Sequence, residues 1–238
     1  MQRYFGRIYN KQVCLDDQDK FHVVKVMRCR VNDRIEVVFE GKVYIGEIKS
    51  IKPLEIDVVD EIKENNELKN DVVLICSLIK GDRMDYIIQK ATELGVEEIV
   101  LLQSERCVAK IRAGEKEYKL ERYRKIIKEA AEQSRRTRLP IIYQVIKIED
   151  LGDIHADVKF IAYEGSKGNT KEFNSMLNKV KRNERIAIMV GPEGGFSPIE
   201  VDIASEHGFH KISLGKRILR AETAVFYALS VIANHLEK

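Results

Sequence analysis

At 238 residues the chain has room for one large domain or two modest ones, each with a real core. Its 44% hydrophobic and 33% charged residues are those of a soluble globular protein, and no apolar run reaches the length of a membrane span. A net charge of +3 is too small by itself to imply a nucleic-acid partner.

The first residues, Met1-Gln-Arg-Tyr-Phe-Gly-Arg7, contain no apolar core of the kind a signal peptide carries. The four cysteines (Cys14, Cys29, Cys76, Cys107) are scattered, which predicts reduced thiols in a cytoplasmic protein. Residues 1–60 read mostly as short strands. Arg34–Phe39, Val43–Ile51 and Leu54–Val59 are rich in Val and Ile, and Glu40-Gly41 and Lys52-Pro53 punctuate them. One helix interrupts. Asp19 is its expected cap, and Phe21, Val24 and Met27 recur at helical spacing. This is the profile of a small β-barrel with one inserted helix, residues 1–68. The polar stretch Glu61–Asn70 reads as a linker, so a second domain takes residues 69–238.

In that second part the rhythm changes. Val72–Ile79 is a nearly continuous apolar run, as in a strand buried on both faces. Helix Asp82–Leu94 follows, stopped by Gly95, and then strand Glu98–Leu102 and helix Glu115–Gln133. Strand Val158–Tyr163, helix Thr170–Val180, strand Arg185–Val190, helix Ser197–His207, strand Lys211–Leu214 and helix Glu222–Leu236 complete the series. Alternation of this kind predicts a parallel α/β sheet with helices on both faces.

Two loops carry the chemistry. Gly191-Pro-Glu-Gly-Gly-Phe196 lies between a strand and a helix whose start has Ser197 as cap, Pro198 in the first turn and Glu200 closing a capping box. Glycine without a Cβ lets a ligand approach the main chain. No Gly-Lys-Ser/Thr follows, so this is not a P-loop, and the dinucleotide pattern G-x-G-x-x-G is absent. Leu214-Gly-Lys-Arg-Ile-Leu-Arg-Ala-Glu-Thr223 occupies the same strand-loop-helix setting one unit later. Two such loops at the C-terminal ends of strands predict one shared ligand pocket.

The charge is unevenly distributed. Lys110–Arg138 holds 11 Lys/Arg against 5 Asp/Glu, and Arg3–Arg34 holds 8 against 4. Both stretches suggest a phosphate footprint. Arg135, Arg136 and Arg138 crowd the end of a helix with no acidic residue after Glu132 nearby, and read as RNA contacts. The histidines are isolated and give no metal signal. Ser104-Glu-Arg-Cys107 follows a strand, but no base stands near to activate the thiol, so Cys107 reads as packing.

Gly191-Pro-Glu-Gly-Gly195, Leu214-Gly-Lys-Arg-Ile-Leu-Arg-Ala-Glu-Thr-Ala224, Ser104-Glu-Arg-Cys107 and Gln89-Lys-Ala-Thr-Glu-Leu-Gly95 together resemble the RsmE-type methyltransferases. These are SPOUT-class enzymes that methylate uridine N3 in 16S ribosomal RNA. The resemblance extends to Arg3-Tyr-Phe5 and His22–Arg28, and so covers the whole chain. It implies a PUA-like, RNA-binding N-terminal β-barrel and a C-terminal domain with a deep trefoil knot. It implies S-adenosyl-L-methionine (SAM) as cofactor, a homodimer with the site at the interface, and 16S rRNA or the small ribosomal subunit as partner.

On that reading Gly191, Pro192, Glu193, Gly194, Gly195, Leu214, Gly215, Ile218, Leu219 and Thr223 surround the cofactor, with Ile218 and Leu219 as apolar walls. Arg220 stabilises negative charge on the uracil, and Glu193 or Glu222 takes the proton. Arg3, Arg28, Arg30, Arg106, Lys110, Arg135, Arg136 and Arg138 are the expected RNA contacts. Rival readings are a ribose 2′-O-methyltransferase, a non-catalytic RNA-binding assembly factor, and a nucleotide-phosphate enzyme using the helix at Ser197.

Overall fold

A computed structural model describes residues 1–166 and 170–238. The chain divides into two compact units. One contains Met1–Glu67 together with Lys128–Leu139, and the other contains Leu68–Ile127 and Pro140–Lys238.

The first unit is a mixed six-stranded sheet. Its strands are β1 (Arg3–Phe5), β2 (Arg7–Tyr9), β3 (Gln12–Cys14), β4 (Arg34–Phe39), β5 (Lys42–Ile51) and β6 (Leu54–Ile62), in the order β1-β4-β5-β6-β3-β2. Only β1 and β4 run parallel. Two register shifts bend β5, between Ile45 and Gly46 and between Ile48 and Ser50. Tyr4, Leu15, Val23, Ile35, Val37, Ile48 and Ile56 form the core of this unit.

The inserted helix α1 (Asp17–Phe21) differs from its expected form. Its cap is Asp16, whose carboxylate accepts from Asp19 N–H at 2.8 Å, and Asp19 is buried inside the first turn. After Phe21 the chain widens into a π turn, His22–Val26, closed by Met27 N–H to His22 C=O at 2.9 Å. The widening breaks the 3.6-residue rhythm. Val23 turns into the core, while Phe21 and Met27, two of the apolar residues at helical spacing, are 60% and 47% exposed.

The second unit holds β7 (Val72–Ser77), α2 (Arg83–Glu93), β8 (Glu98–Gln103), the first part of α3 (Lys116–Gln133), β9 (Ile141–Ile142), β10 (Ile146–Lys147), β11 (Val158–Ala162), α4 (Thr170–Leu177), β12 (Ile186–Val190), α5 (Pro198–Glu206), β13 (Phe209–Ile212) and α6 (Ala221–Leu236). The sheet order is β10-β8-β7-β12-β11-β13, with β9 also on β8, and every pairing is parallel. All residues of β7 and β12 are buried, as their unbroken apolar runs require. Alternate side chains feed two cores. Val72, Leu74 and Cys76 join one, while Val73 and Ile75 join the other. Strand β13 begins two residues earlier than expected, because Phe209 and Ile212 are the inward pair.

The polar stretch Glu61–Asn70 is built structure. Glu61 and Ile62 end β6, and the Asn70 amide donates to Lys181 C=O and Glu184 C=O, both at 2.7 Å. Polar content concealed these roles, because their partners lie far along the chain.

Candidate active site

Parallel registers place the ends of four strands at one edge. Cys76 of β7 pairs with Val190 of β12, Val190 with Ala162 of β11, and Ala162 with Ile212 of β13. The turns after β12 and β13 leave from this edge two strands apart, where ligands of open parallel sheets bind.

The first turn, Gly191–Phe196, closes with Gly195 N–H to Pro192 C=O at 2.9 Å. Gly191, Pro192 and Phe196 are buried, and Glu193 and Gly194 are exposed. Gly195 sits at φ +66°, a left-handed value that other residues enter at a cost. Among the described residues, a Cβ on Gly195 would meet only Glu164 Oε1, at 3.8 Å, so these leave the face of the turn open. Gly194 is held from below, where its carbonyl accepts from Arg106 Nη1 at 3.0 Å. Behind the turn, α5 starts as its sequence predicts: Ser197 Oγ accepts from Glu200 N–H, and the Glu200 carboxylate accepts from Ser197 N–H at 2.8 Å. The other Glu200 oxygen accepts from Glu105 N–H at 2.8 Å, which ties the loop after β8 to this turn.

In the second turn, Ser213 Oγ bridges Gly215 N–H and Gly215 C=O at 3.3 and 3.2 Å. Gly215 has φ +125°, and a Cβ there would meet nothing within 4 Å. Leu214 and Leu219 pack against the core, whereas Ile218, expected as a wall, is 88% exposed. Arg220 is the extended residue that opens α6, its side chain in solvent, and Thr223 is also exposed.

One side chain that the sequence reading missed links the two turns. Arg83, the first residue of α2, pairs with Glu193 and places Nη1 3.8 Å from Glu222 Oε2. That Glu222 oxygen is buried and, among the described residues, accepts no hydrogen bond. A cation just after a buried strand, in Gly81-Asp-Arg83, was the available signal. Cys76 and Cys107 are both buried, and burial pushes the Cys76 thiol up to about 12. Cys107 Sγ lies 3.1 Å from Ser104 Oγ, a packing role.

The arginines expected on RNA divide. Arg28, Arg30, Arg106, Lys110, Arg135 and Arg138 are exposed. Arg3 and Arg136 are not, which corrects that expectation. Arg3 is 1% exposed and donates to Glu36 and Glu64 at 2.7 and 2.9 Å. Arg136 is 2% exposed and donates twice to Glu67 Oε2, at 3.0 and 2.6 Å. Arg135, though exposed, pairs with Glu36 at 2.9 Å. These acidic partners come from Glu36, Glu64 and Glu67, remote in sequence, so a local charge count could not find them.

A family model described as an RNA methyltransferase domain matches residues 66–233, and one described as an RNA methyltransferase PUA domain matches residues 15–61. The parallel sheet with paired turns at its C-terminal edge is thus that of an RNA methyltransferase. Among relatives, the ribosomal RNA small subunit methyltransferase E of Bacillus subtilis is 34% identical, over 100% of this chain and 98% of its own. The ribosomal RNA small subunit methyltransferase E of Neisseria gonorrhoeae, solved bound to S-adenosyl methionine, superimposes with TM-score 0.84 at 31% identity, covering 98% of this chain and 97% of its own. A Legionella pneumophila methyltransferase solved with SAM gives TM-score 0.88 at 27% identity over 98% and 97% of the two chains. The chain belongs to the ribosomal RNA small subunit methyltransferase E family.

Proposed function

We propose that this chain transfers a methyl group from SAM to N3 of a specific uridine in 16S ribosomal RNA, in the cytoplasm, as a homodimer with its site at the subunit interface. The observation that carries this reading is the pair of open turns at one sheet edge, bridged through Arg83 from Glu193 to Glu222. The names of the full-length relatives support the RNA class, and the SAM held by two solved neighbours supports the cofactor.

The turns fit SAM. Gly195 and Gly215 present no side chain of their own to a nucleoside: a Cβ on Gly215 would meet no described atom within 4 Å, and one on Gly195 would only touch Glu164 Oε1 at 3.8 Å. Gly191, Pro192, Glu193, Gly194, Leu214, Leu219 and Thr223 complete the cradle. Bound SAM supplies a methyl carbon activated by its sulfonium. The protein's work is to align the uracil in line with that carbon and to manage charge. Arg220, solvent-facing at the start of α6, meets the negative charge that develops on the uracil oxygens. Glu222 accepts the N3 proton. Among the described residues its Oε2 accepts no hydrogen bond and lies 3.8 Å from Arg83 Nη1, whereas a Glu193 oxygen is taken up by a hydrogen bond from Arg83.

Apolar side chains left in solvent on α2 and α6 support the homodimer. Tyr86 and Tyr227 are 50% and 40% exposed, and Tyr86 meets Phe226 edge-on at 5.3 Å. The trefoil knot belongs to the same reading, supported by a sheet order in which β12 lies between β7 and β11. Mass-spectrometric analysis of nucleosides from 16S rRNA, treated with protein and SAM, tests the proposal. N3-methyluridine is the expected product; a ribose methyl group, or no methylation of small-subunit rRNA, overturns it.

A further inference from the structure

Residues 20–32 of the first unit, Lys-Phe-His-Val-Val-Lys-Val-Met-Arg-Cys-Arg-Val-Asn, contain no carboxylate. Four large apolar side chains in this run face solvent: Phe21 at 60%, Val26 at 56%, Met27 at 47% and Val31 at 49%. Four cations accompany them, Lys20, Lys25, Arg28 and Arg30, all exposed. Lys20 pairs with Asp17 at 3.0 Å; among the described residues, the side chains of Lys25, Arg28 and Arg30 make no ion pair.

The segment is anchored from beneath. Val23 is fully buried, and His22 Nδ1 is hydrogen-bonded to the Tyr4 hydroxyl at 2.8 Å. The wide turn closed by Met27 N–H on His22 C=O raises Val26 and Met27 one turn above Phe21 and His22, and Cys29 N–H closes on Val23 C=O at 3.1 Å. Arg28 occupies the left-handed region at φ +53°, where glycine or asparagine is usual. An anchored backbone thus holds apolar groups in water beside unpaired cations, at a cost that folding alone does not explain.

We infer that this segment is a stacking platform for unpaired bases of single-stranded RNA, with Phe21 against a base, Met27 and Val26 flanking it, and Lys25, Arg28 and Arg30 on the adjoining phosphates. An aromatic ring accepts any base face, and cations along the same ridge follow the backbone that carries the bases. An apolar protein partner would leave the three unpaired cations without a counter-charge. A phosphate-only contact would leave the four apolar side chains in water. The inference rests on the proposed action on ribosomal RNA and adds the surface through which the RNA is held.

The test uses the full-length chain and a fluorescently labelled single-stranded RNA oligonucleotide, with anisotropy measured over a range of salt. Phe21→Ala weakens binding by roughly 5- to 100-fold, the loss of one aromatic–base stack, and leaves the slope of log K against log salt unchanged. Lys25→Gln, Arg28→Gln and Arg30→Gln combined reduce that slope by about 2, since each single-strand phosphate contact contributes about 0.7. Phe21→Trp retains binding. An unchanged affinity in Phe21→Ala overturns the inference, as does loss of self-association in that variant with RNA binding intact. A wild-type chain that methylates rRNA while Phe21→Ala binds normally defeats this inference alone. A wild-type chain that methylates no rRNA defeats the functional reading whatever the anisotropy shows.

Discussion

Replacing Glu67 by alanine distinguishes a structural Arg136 from an RNA-binding one. Glu67 and Arg136 side chains are 6% and 3% exposed. Besides the two Arg136 bonds, Glu67 Oε1 accepts from Thr137 N–H at 2.7 Å, Thr137 Oγ1 at 3.2 Å and Arg138 N–H at 3.1 Å. Burial pushes the Glu67 carboxyl up, but the Arg136 hydrogen bond and charge and the Thr137 and Arg138 N–H groups outweigh it and hold it below the usual carboxylate range. Glu67→Ala takes from the buried Arg136 guanidinium a carboxylate to which it donates twice, and removes the carboxylate oxygen to which Thr137 N–H and Arg138 N–H donate. Removing one partner of a buried pair costs about 3–5 kcal/mol. In a chain of this size that lowers the melting temperature by roughly 6–20 °C. Circular dichroism melts provide the assay. Raising salt to 0.5 M, where the Debye length is only about 4 Å, leaves the wild-type advantage in place, because a buried pair is little screened. Glu67→Ala combined with Arg136→Met recovers much of the loss, since the buried guanidinium is then removed together with its carboxylate partner. A loss under about 1 kcal/mol, of the size seen for exposed pairs, refutes the argument.

Three further outcomes follow from the same geometry. Arg220→Ala retains SAM affinity within about twofold by calorimetry and loses roughly 100- to 1,000-fold in methyl transfer; wild-type turnover removes the charge-stabilising role. Gly195→Val weakens SAM binding by about tenfold or more, because a β-branched residue at φ +66° strains the turn and covers its open face, and an unchanged dissociation constant removes Gly195 from the cradle. Burial, reinforced by Asp19, pushes the Glu132 carboxyl up to about 7. The folded state therefore keeps this proton after the unfolded chain has released it, so the contribution is full below about pH 4.5 and is lost as pH rises to about 7, by at most about 3 kcal/mol. Glu132→Gln abolishes that slope in urea titrations at pH 5 and pH 8; an identical slope in the variant assigns it elsewhere.

Most of the second unit was legible because both of its signals are local. Continuous apolar runs mark strands covered on two faces, and Met84, Ile87, Ile88 and Ala91 fall at helical spacing on α2 and are all buried. The cap Ser197–Glu200 is four residues of local chemistry, and it formed as read. The errors lie where one residue's role depends on another far along the chain. Arg136 looked unpartnered because Glu67 is 69 positions away. Arg83 was overlooked because Glu193 is 110 positions away. At α1 the failure was one of period, since a wider turn carries Phe21 and Met27 outward in a stretch that still scans as an ordinary amphipathic helix.

The return of Lys128–Leu139 to the N-terminal unit makes that unit a two-piece object. A gene fragment ending at Glu67 encodes every strand of its sheet, yet omits Arg135, Arg136 and Lys128, which pair with Glu36, Glu67 and Asp19 in the intact molecule. The N-terminal sheet is therefore not a portable module. Transplanting it, or trimming it away, means carrying a second strip of polypeptide along, and a ribosome making this protein cannot finish the first unit until Leu139 has emerged.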